Sequence, residues 1–238
     1  MNDKVIRVTP GAAAALSPVV LLAGPEPLEI NLQRTVVIVI DMQNAFISKG
    51  GMFDLWDRDV SKNQEVIQPI KKITEAARAK GVKVVYTAAE YQLGLHDTGG
   101  PNSPNWYKST LPSYREHPEW RDKLVFHGTW GADIVDELTP QEGDILVTKT
   151  KYSAFFGTNL DIILKTLDAK YLVFVGVATN ICVEASIRDA YYREYFPILV
   201  ADSAMYSGPA CTQEATIYNV QRCYGWVTTT QNIVNAME

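Results

Sequence analysis

Two short segments of the chain each place a reactive side chain just after an apolar run. Cys182 follows the run that ends in Gly176 and Val177, and an amphipathic stretch begins beside it. Asp41 ends the valine- and isoleucine-rich run 35–41. A thiol at the N-terminus of a helix is stabilised as a thiolate by unpaired N–H groups, and an acid nearby can serve as its base. The two residues are therefore a candidate nucleophile and base.

A third reactive side chain, Lys149, ends the apolar run 144–149. The carboxyl ends of parallel strands meet at one edge of a sheet, where doubly wound proteins have their active sites. We therefore expect Asp41, Lys149 and Cys182 to lie together, with the acid as base, the lysine as electrostatic partner and the cysteine as nucleophile. Taken singly, each has an ordinary structural explanation as a cap, a strand-end lysine or a small buried side chain.

The composition is that of one sizeable folded domain. The chain has 238 residues, of which 47% are hydrophobic, and its formal net charge is −5. Because the lysines and arginines are scattered, this charge argues against a nucleic-acid-binding protein. No apolar run approaches the length of a membrane helix. The predicted partner is a small molecule, with neither nucleic acid nor a membrane.

The other cysteines and the histidines do not form a recognisable site. Cys211 and Cys223 have no acid placed beside them and are interpreted as structural, and three widely spaced cysteines do not suggest a disulfide framework. His96, His117 and His127 share one irregular segment but lack the spacing of metal ligands. We predict no metal site and no cofactor, and the cysteine usage favours a reducing, cytoplasmic location.

Apolar, β-branched runs alternate with amphipathic stretches along the chain. The predicted strands are 35–41, 83–89, 144–149, 171–177, 197–201 and 226–229, and the predicted helices are 66–80, 159–167, 183–195 and 211–222. The near-continuous hydrophobicity of the strands requires a sheet that is buried on both faces. We therefore predict an α/β fold of three αβα layers around a six-stranded, parallel, doubly wound sheet.

The predicted organisation is an N-terminal arm, residues 1–34, and a single domain, residues 35–238. Segment 94–133 is rich in proline, glycine and aromatic residues with weak periodicity, and we predict that it forms a lid-like irregular segment. The apolar stretch 12–24 follows two basic residues, as in a signal peptide, but Pro18 interrupts it. An arm that lies over the domain is the favoured interpretation.

Three motifs resemble those of the isochorismatase-like cysteine hydrolase superfamily. They are D-M-Q-N-x-F at 41–46, K-T-K-Y-S-A-F-F-G-T at 149–158 and G-V-A-T-N-I-C-V at 176–183. The resemblance extends from Val36 to about Val227. It implies the Rossmann-like, isochorismatase-like hydrolase fold and a catalytic triad that falls on Asp41, Lys149 and Cys182.

The same resemblance implies further features of the site and of the assembly. A non-proline cis peptide falls on Val177–Ala178, and an oxyanion hole falls on the backbone N–H groups of Ala178 and Cys182. Members of the superfamily are usually dimers or tetramers, so a homodimer or homotetramer is expected.

Segments 99–105 and 179–184 are most similar to the ureidoacrylate amidohydrolase branch of that superfamily. This implies a cysteine-dependent amidohydrolase that cleaves a C–N bond of a small linear ureido compound and releases ammonia through a thioester acyl-enzyme. Glu90 stands where that branch tends to carry an Asn-Gly-Trp segment, which favours donor-rich substrates such as biuret or triuret over anionic ureidoacrylate. The alternatives are a nicotinamidase, an N-carbamoyl amino acid amidohydrolase and a non-catalytic metabolite-binding protein.

Seven residues near the motifs or in the irregular segment are predicted to line the substrate pocket, and each has an ordinary place in the core or on the surface as its alternative. They are Asn44, Phe46, Glu90, Trp106, Tyr107, Tyr152 and Phe155.

Overall fold

The central feature of the protein is a six-stranded parallel sheet. A computed structural model describes residues 18–108 and 110–238 of the chain. In this part the strands are β1 (Val19–Leu21), β2 (Leu28–Ile30), β3 (Thr35–Ile40), β4 (Lys83–Ala89), β5 (Ile145–Lys149), β6 (Tyr171–Val177), β7 (Phe196–Met205) and β8 (Trp226–Thr228). β1 and β2 form an antiparallel hairpin, and the other strands form the sheet.

The strand order β5-β4-β3-β6-β7-β8 is that of a doubly wound sheet. The chain builds outward from β3 to β5, returns to the centre, and then builds outward in the other direction from β6 to β8. The direction changes between β3 and β6, which pair from Thr35 with Tyr171 to Ile40 with Gly176. A crevice opens at such a point beyond the carboxyl ends of the strands, and ligands bind there. The predicted fold class is confirmed.

Helices cover both faces of the sheet. Among the described residues they are α1 (Asn44–Ile47), α2 (Met52–Leu55), α3 (Ser61–Glu65), α4 (Ile67–Ala79), α5 (Thr110–Glu116), α6 (Leu160–Thr166), α7 (Glu184–Tyr192), α8 (Cys211–Asn219) and α9 (Thr230–Met237). Short 3₁₀ segments lie at Leu32–Arg34, Gly100–Asn102, Pro104–Tyr107, Pro118–Lys123 and Asp136–Leu138, and π-helical turns at Thr179–Val183 and Val220–Tyr224.

The predicted strands and long helices agree with the observed ones except at their ends. The main difference in the sheet is β7, which continues to Met205 although the apolar run ends at Ala201. The hairpin and the helices α1, α2, α3, α5 and α9 were not predicted. Each of these elements has at most eight residues, which is too short for a periodic pattern to stand out. Their formation depends on packing against the rest of the chain.

Alternating side chains of the strands fill two cores, one on each face of the sheet. On one face, Val37 packs with Ile70 of α4 and Ile233 of α9. On the other face, Ile38 packs with Ile187 of α7. β3 is buried along its whole length as a result, which explains its unbroken run of apolar residues.

Segment 94–133 folds against the short helices that follow β3. It contains α5 and three 3₁₀ segments, and so is more regular than predicted. Leu111, Val125 and Phe126 of the segment pack with Met52 and Phe53 of α2 in a third buried cluster. The segment and the short helices therefore form one wall beyond the edge of the sheet. Its behaviour as a lid stays a prediction.

The described part of the N-terminal arm, residues 18–34, lies on the domain. Leu21 and Ile30 of the hairpin are fully buried in the core that includes α9, and Gly24 pairs with Val227 of β8. Residues 1–17, with part of the apolar stretch discussed above, lie outside the described residues, and the domain boundary stays a prediction. No helix within 18–108 and 110–238 is long and apolar enough to cross a membrane.

Gly176 allows β6 to approach β3 closely beside the crevice. Its φ of +111° lies in the region that favours glycine, and a Cβ at this position would lie 2.1 Å from the backbone oxygen of Ile40. The residues that follow these two positions on β3 and β6 lead directly to Asp41 and Ala178. The contact therefore holds together the two strand ends that border the crevice.

We expect Gly176→Ala to lower the free energy of unfolding by more than about 2 kcal/mol, because the added Cβ meets rigid backbone and the φ is strained. Gly143→Ala is the matched control, since Gly143 has a φ of +90° but a Cβ there meets nothing within 4 Å. Backbone strain of about 1 kcal/mol is expected in that variant. Urea denaturation followed by circular dichroism measures both losses. Equal losses would show that the approach to Ile40 has no energetic consequence.

Candidate active site

Asp41, the first residue after β3, is held in the crevice through both its backbone and its side chain. Its φ of +51° is unusual for a residue other than glycine, and its backbone N–H donates to the backbone oxygen of Thr87 at 3.1 Å. Thr87 Oγ1 donates to Asp41 Oδ1 at 2.7 Å. The hydroxyl fixes one carboxylate oxygen, and the other contacts Lys149.

Lys149, the last residue of β5, extends past β4 to reach the acid. Its Nζ lies 2.7 Å from Asp41 Oδ2, and each of the two side chains is 1% exposed. The same Nζ donates to the backbone oxygen of Lys151 at 3.1 Å and lies 3.6 Å from Cys182 Sγ. An ammonium group has three N–H donors, so one lysine contacts the acid, a carbonyl and the thiol at once.

Cys182 lies in the π-helical turn Thr179–Val183 that joins β6 to α7. The sequence predicted that the helix itself begins here, but regular α-helix begins at Glu184. Ser186 Oγ donates to the backbone oxygen of Cys182 at 2.6 Å and accepts from the backbone N–H of Ala154 at 2.9 Å. Ser186 thus ties the turn that carries the cysteine to the loop that follows Lys149.

The peptide bond between Val177 and Ala178 is cis, as the family resemblance implied. It stands between the last residue of β6 and the turn that carries Cys182. The structure therefore brings Asp41, Lys149, Ala178 and Cys182 to one place. Their catalytic roles stay predictions.

Burial raises the pKa of the Cys182 thiol to about 12, the Lys149 ammonium lowers it, and the charge and hydrogen bond of Asp41 raise it further. The net direction favours a protonated thiol at neutral pH. It is opposite to the thiolate that a helix N-terminus was expected to stabilise. Burial outweighs the other contributions because a charged thiolate loses its hydration in the site. A base must therefore accept the thiol proton when the sulfur reacts.

Lys149 is charged in the same environment. Burial acts to lower its pKa, but the Asp41 carboxylate and Cys182 raise it, and the net shift is upward. The site thus holds an ammonium and a carboxylate as a buried ion pair beside a neutral thiol. A carboxylate in contact with a thiol is placed to accept its proton.

A cavity of about 330 Å³ opens onto these side chains, within the usual size range of small-molecule sites. Asp41, Lys149, Ala178 and Cys182 form its floor, and the wall beyond the sheet edge forms its sides. The apolar and aromatic side chains among its other lining residues are Phe46, Met52, Phe53, Trp56, Ala89, Tyr91, Tyr107, Pro112, Val125, Tyr152, Val177 and Ile181.

Of the seven residues predicted to bind substrate, Phe46, Tyr107 and Tyr152 line this cavity. Phe46 comes from α1, Tyr107 from the segment 94–133 and Tyr152 from the loop after β5. Their role in substrate binding stays a prediction.

The structure places Asn44, Trp106 and Phe155 away from the cavity. Asn44 donates to the backbone oxygen of Trp130 at 3.0 Å, and so holds the wall in place. Trp106 packs on the third cluster under the guanidinium of Arg115, at 5.2 Å. Phe155 is 4% exposed and belongs to the core that covers α6 and α7, because the loop after Lys149 turns that side chain towards the helices.

Glu90 also lies away from the cavity, although its backbone is next to the site. Its N–H donates to the backbone oxygen of Lys149 at 2.9 Å, while its side chain, 16% exposed, does not line the cavity. Glu90 Oε1 lies 2.9 Å from Nδ1 of His127. The pairing with His127 removes the reason, drawn from the sequence, to favour donor-rich substrates.

Sequence reasoning missed the positive charges of the cavity, which are Arg58, Lys108 and Lys151. Together with the Asp41–Lys149 pair, they are the ionisable lining residues apart from the thiol and the tyrosines. Lys151 belongs to the motif at 149–158, but the sequence around a single loop lysine does not indicate that its side chain lines a cavity. Arg58 and Lys108 reach the site only because the wall segments fold over the sheet edge.

The described residues contain no group of three or more His, Cys, Asp or Glu side chains that are placed to hold a metal ion. His117 contacts Glu119 at 3.2 Å, and His127 contacts Glu90. The first pair is exposed, and the second joins an exposed histidine of segment 94–133 to a mostly buried acid that follows β4.

The class of the protein follows from the fold and the site together. A doubly wound sheet that brings an acid, a lysine and a cysteine to the edge of a small cavity has the arrangement expected of a cysteine hydrolase. Residues 35–232 match the family described as Isochorismatase domain. The chain therefore belongs to this family, and the predicted membership is confirmed.

Known proteins of similar sequence and structure support this assignment. The ureidoacrylate amidohydrolase RutB of Agrobacterium fabrum is 48% identical over 210 residues, which cover 88% of this chain and 92% of that protein. A cysteine hydrolase from Pseudomonas syringae pv. phaseolicola has 29% identity and a TM-score of 0.73, over 87% of this chain and 94% of its own. The N-carbamoylsarcosine amidase of Thermoplasma acidophilum has 26% identity and a TM-score of 0.61, over 83% and 96%.

The buried ion pair makes a prediction about stability. Lys149→Met leaves the Asp41 carboxylate buried without its counter-charge, so we expect a loss of about 3–5 kcal/mol in the free energy of unfolding. The double variant Asp41→Asn/Lys149→Met carries no unpaired charge and keeps an acceptor for Thr87, so it should be more stable than the single variant. Urea denaturation of both proteins measures the difference. A double variant that is no more stable than Lys149→Met would contradict the ion-pair interpretation.

The raised pKa of Cys182 makes a prediction about thiol reactivity. At pH 7.5 we expect iodoacetamide to modify Cys182 more slowly than Cys211 and Cys223, which are exposed, because only the thiolate reacts and burial suppresses it. The rate at Cys182 should continue to rise with pH above 9, since its pKa is about 12. Peptide mass spectrometry measures each site. In urea the three rates should converge, and faster modification of Cys182 in the native protein would contradict the raised pKa.

Proposed function

We propose that the protein hydrolyses a C–N bond of a small linear ureido compound, with release of ammonia through a thioester to Cys182. The observation that carries the proposal is the position of Lys149 Nζ, 2.7 Å from Asp41 Oδ2 and 3.6 Å from Cys182 Sγ at the floor of the cavity. The relative from Agrobacterium fabrum is named as a ureidoacrylate amidohydrolase, which supports a ureido compound as the substrate.

In the first half of the proposed reaction, the thiol of Cys182 adds to the ureido carbonyl. Asp41 accepts the thiol proton as the C–S bond forms, because the thiol is neutral in the resting site and the carboxylate faces it. The tetrahedral adduct then expels its terminal nitrogen, which takes the proton from Asp41 and leaves as ammonia. The remaining carbamoyl group stays on the sulfur as a thioester-type acyl-enzyme.

The tetrahedral adduct carries a negative oxygen that needs hydrogen-bond donors. The backbone N–H groups of Ala178 and Cys182 are proposed for this role, since both residues belong to the floor of the cavity. Removal of one donor from such an oxyanion hole costs about 3–4 kcal/mol of transition-state stabilisation. Lys149 contributes by pairing with Asp41 Oδ2 at 2.7 Å, which holds the acid in place at the floor of the cavity.

In the second half, water enters the position that ammonia has left. Asp41 accepts a proton from the water, whose oxygen adds to the acyl carbon. Collapse of this adduct breaks the C–S bond, and the sulfur takes the proton back from Asp41. The sum of the two halves is the ureido compound plus water giving a carbamic acid plus ammonia, and the enzyme returns to its starting state.

The cavity favours an anionic ureido substrate of the ureidoacrylate type over biuret or triuret. Arg58, Lys108 and Lys151 line it. The one acid among its lining residues, Asp41, is paired with a fourth cation, Lys149. Glu90, which would accept hydrogen bonds from a donor-rich substrate, is turned away towards His127. Electrostatic complementarity of this kind selects among ligands of similar shape.

N-carbamoyl amino acids are the second candidate substrates. They combine a ureido group with a carboxylate, so the same floor and the same cations suit them. The similar structure from Thermoplasma acidophilum is named as an N-carbamoylsarcosine amidase, and N-carbamoylsarcosine is such a compound. The nicotinamidase alternative has less support, because its substrate lacks both the ureido group and the negative charge.

Two further properties are proposed. The protein is proposed to assemble as a homodimer or homotetramer, as the family resemblance implies, and to be located in the cytoplasm, as its cysteine usage suggests. A non-catalytic binding role is disfavoured, because it would not require an acid, an ammonium and a thiol in mutual contact.

The test is ammonia release from a panel of ureidoacrylate, N-carbamoyl amino acids, biuret, triuret and nicotinamide. We expect the highest kcat/KM with ureidoacrylate, and loss of at least about a thousandfold in kcat for Cys182→Ser and Cys182→Ala, because both remove the nucleophile. Detection of the acyl-enzyme by intact-protein mass spectrometry gives a second readout. Near-wild-type activity in either variant, or ammonia release from nicotinamide alone, would reject the proposal.

A further inference from the structure

Arg58 lines the cavity from the wall that follows β3 and is held by aromatic contacts. Its guanidinium carbon lies 4.8 Å from the centre of the Phe53 ring and 5.1 Å from that of the Trp56 ring. Both rings also line the cavity. Cation–π contacts of this kind fix the plane and position of a guanidinium.

A second contact connects Arg58 to the turn that carries the nucleophile. Its Nη1 donates to the hydroxyl of Ser207. The backbone of Ser207 is in turn held by Asn180, whose side chain accepts from the Ser207 N–H at 2.9 Å and donates to the Ser207 oxygen at 3.0 Å. Asn180 belongs to the same π-helical turn as Cys182. The arginine is therefore positioned relative to the cysteine by a short chain of hydrogen bonds.

Arg58 has no acidic partner in the part of the chain that the structure describes. None of the ion pairs there includes Arg58, although Asp57 and Asp59 flank it in the sequence. Asp59 instead accepts hydrogen bonds from Ser61. Arg58 is exposed, and burial of part of its side chain lowers its pKa. Its guanidinium therefore lines the cavity without an acidic partner among the described residues, and its N–H donors can pair with an anion that enters.

We propose that Arg58 is the residue that recognises the carboxylate of the substrate, and that Ser207 is its positioning residue. This inference rests on the proposed function, because it supposes that the ureido group lies at Cys182 while the acidic end of the same molecule points away from it. A guanidinium offers paired N–H donors that match the two oxygens of a carboxylate.

Arg58 is better suited to this task than the two lysines of the cavity. Arg58 and Lys108 are both exposed and Lys151 is partly buried, so the three cations differ in how they are held rather than in burial. A lysine ammonium is also a point charge on a flexible chain, whereas Arg58 is fixed by two rings and one hydroxyl. Pre-organisation reduces the entropy that is lost when the ligand binds.

The test compares ureidoacrylate with its uncharged amide, 3-ureidoacrylamide, which keeps the ureido group and the chain. For Arg58→Met we expect KM for the acid to rise about 10- to 100-fold with little change in kcat, and KM for the amide to stay within about threefold. For Arg58→Lys, the KM for the acid should lie between the values of Arg58→Met and the wild type, because lysine keeps the positive charge but lacks the paired N–H donors of a guanidinium. Ser207→Ala should also raise the ratio of the KM for the acid to the KM for the amide, but by a smaller factor.

Arg115→Met is the matched control. Arg115 also lies over two aromatic rings, at 5.2 Å from Trp106 and 5.6 Å from Tyr107, but it does not line the cavity. The ratio of the two KM values should stay within about threefold of the wild type in this variant. An equal change in the Arg115 and Arg58 variants would show a general effect of losing a stacked cation and overturn the proposal.

Binding to the inactive Cys182→Ser protein separates this proposal from the proposed function. Calorimetry should give a Kd for ureidoacrylate that rises about 10- to 100-fold when Arg58→Met is added. If the wild type releases no ammonia but this difference in Kd is present, the proposed function fails and the role of Arg58 stands. If ammonia is released and neither KM nor Kd depends on Arg58, the role of Arg58 is rejected and the function stands. Absence of ureidoacrylate binding to the Cys182→Ser protein also rejects it.

Discussion

The buried pair of Asp41 and Lys149 is the interaction on which the rest of the site depends. An isolated carboxylate or ammonium would be too costly at 1% exposure, so each charge exists there only because the other is 2.7 Å away. The pair in turn defines the state of Cys182. Burial keeps the thiol protonated, and the carboxylate that holds Lys149 charged is the same group that can take the thiol proton. The site thus places a thiol beside the carboxylate that is proposed to act as its base.

The doubly wound sheet explains how these groups meet. Asp41 and Cys182 follow the two central strands, β3 and β6, at the point where the strand order reverses. Lys149 comes from β5, two strands away, and only a side chain as long as lysine can cross that distance to the acid. The close approach of Gly176 to Ile40 draws the ends of β3 and β6 together. Packing of the sheet and chemistry of the site therefore depend on the same backbone contacts.

The wall beyond the sheet edge forms the sides of the cavity and does not hold the ion pair. It is built from short helices and from segment 94–133, with a buried cluster of its own, and it supplies aromatic surface and positive charge to the cavity. Arg58 lies over two rings of this wall and is tied to the turn that carries Cys182. In the proposed function, the residues at the floor carry out the reaction and the wall selects the substrate.

The sequence by itself determined the buried parallel sheet and the meeting of Asp41, Lys149 and Cys182 at one edge of it, because strand hydrophobicity is a local pattern and parallel strands end at the same edge. It also predicted seven pocket residues, of which Phe46, Tyr107 and Tyr152 line the cavity. Tertiary structure alone decided that Glu90 turns to His127, that Phe155 enters the core and that Arg58 reaches the cavity. The direction of a loop side chain depends on contacts with distant segments, which no local pattern contains. The protonation state of Cys182 was likewise a tertiary property, since burial outweighed the helix terminus that the sequence suggested.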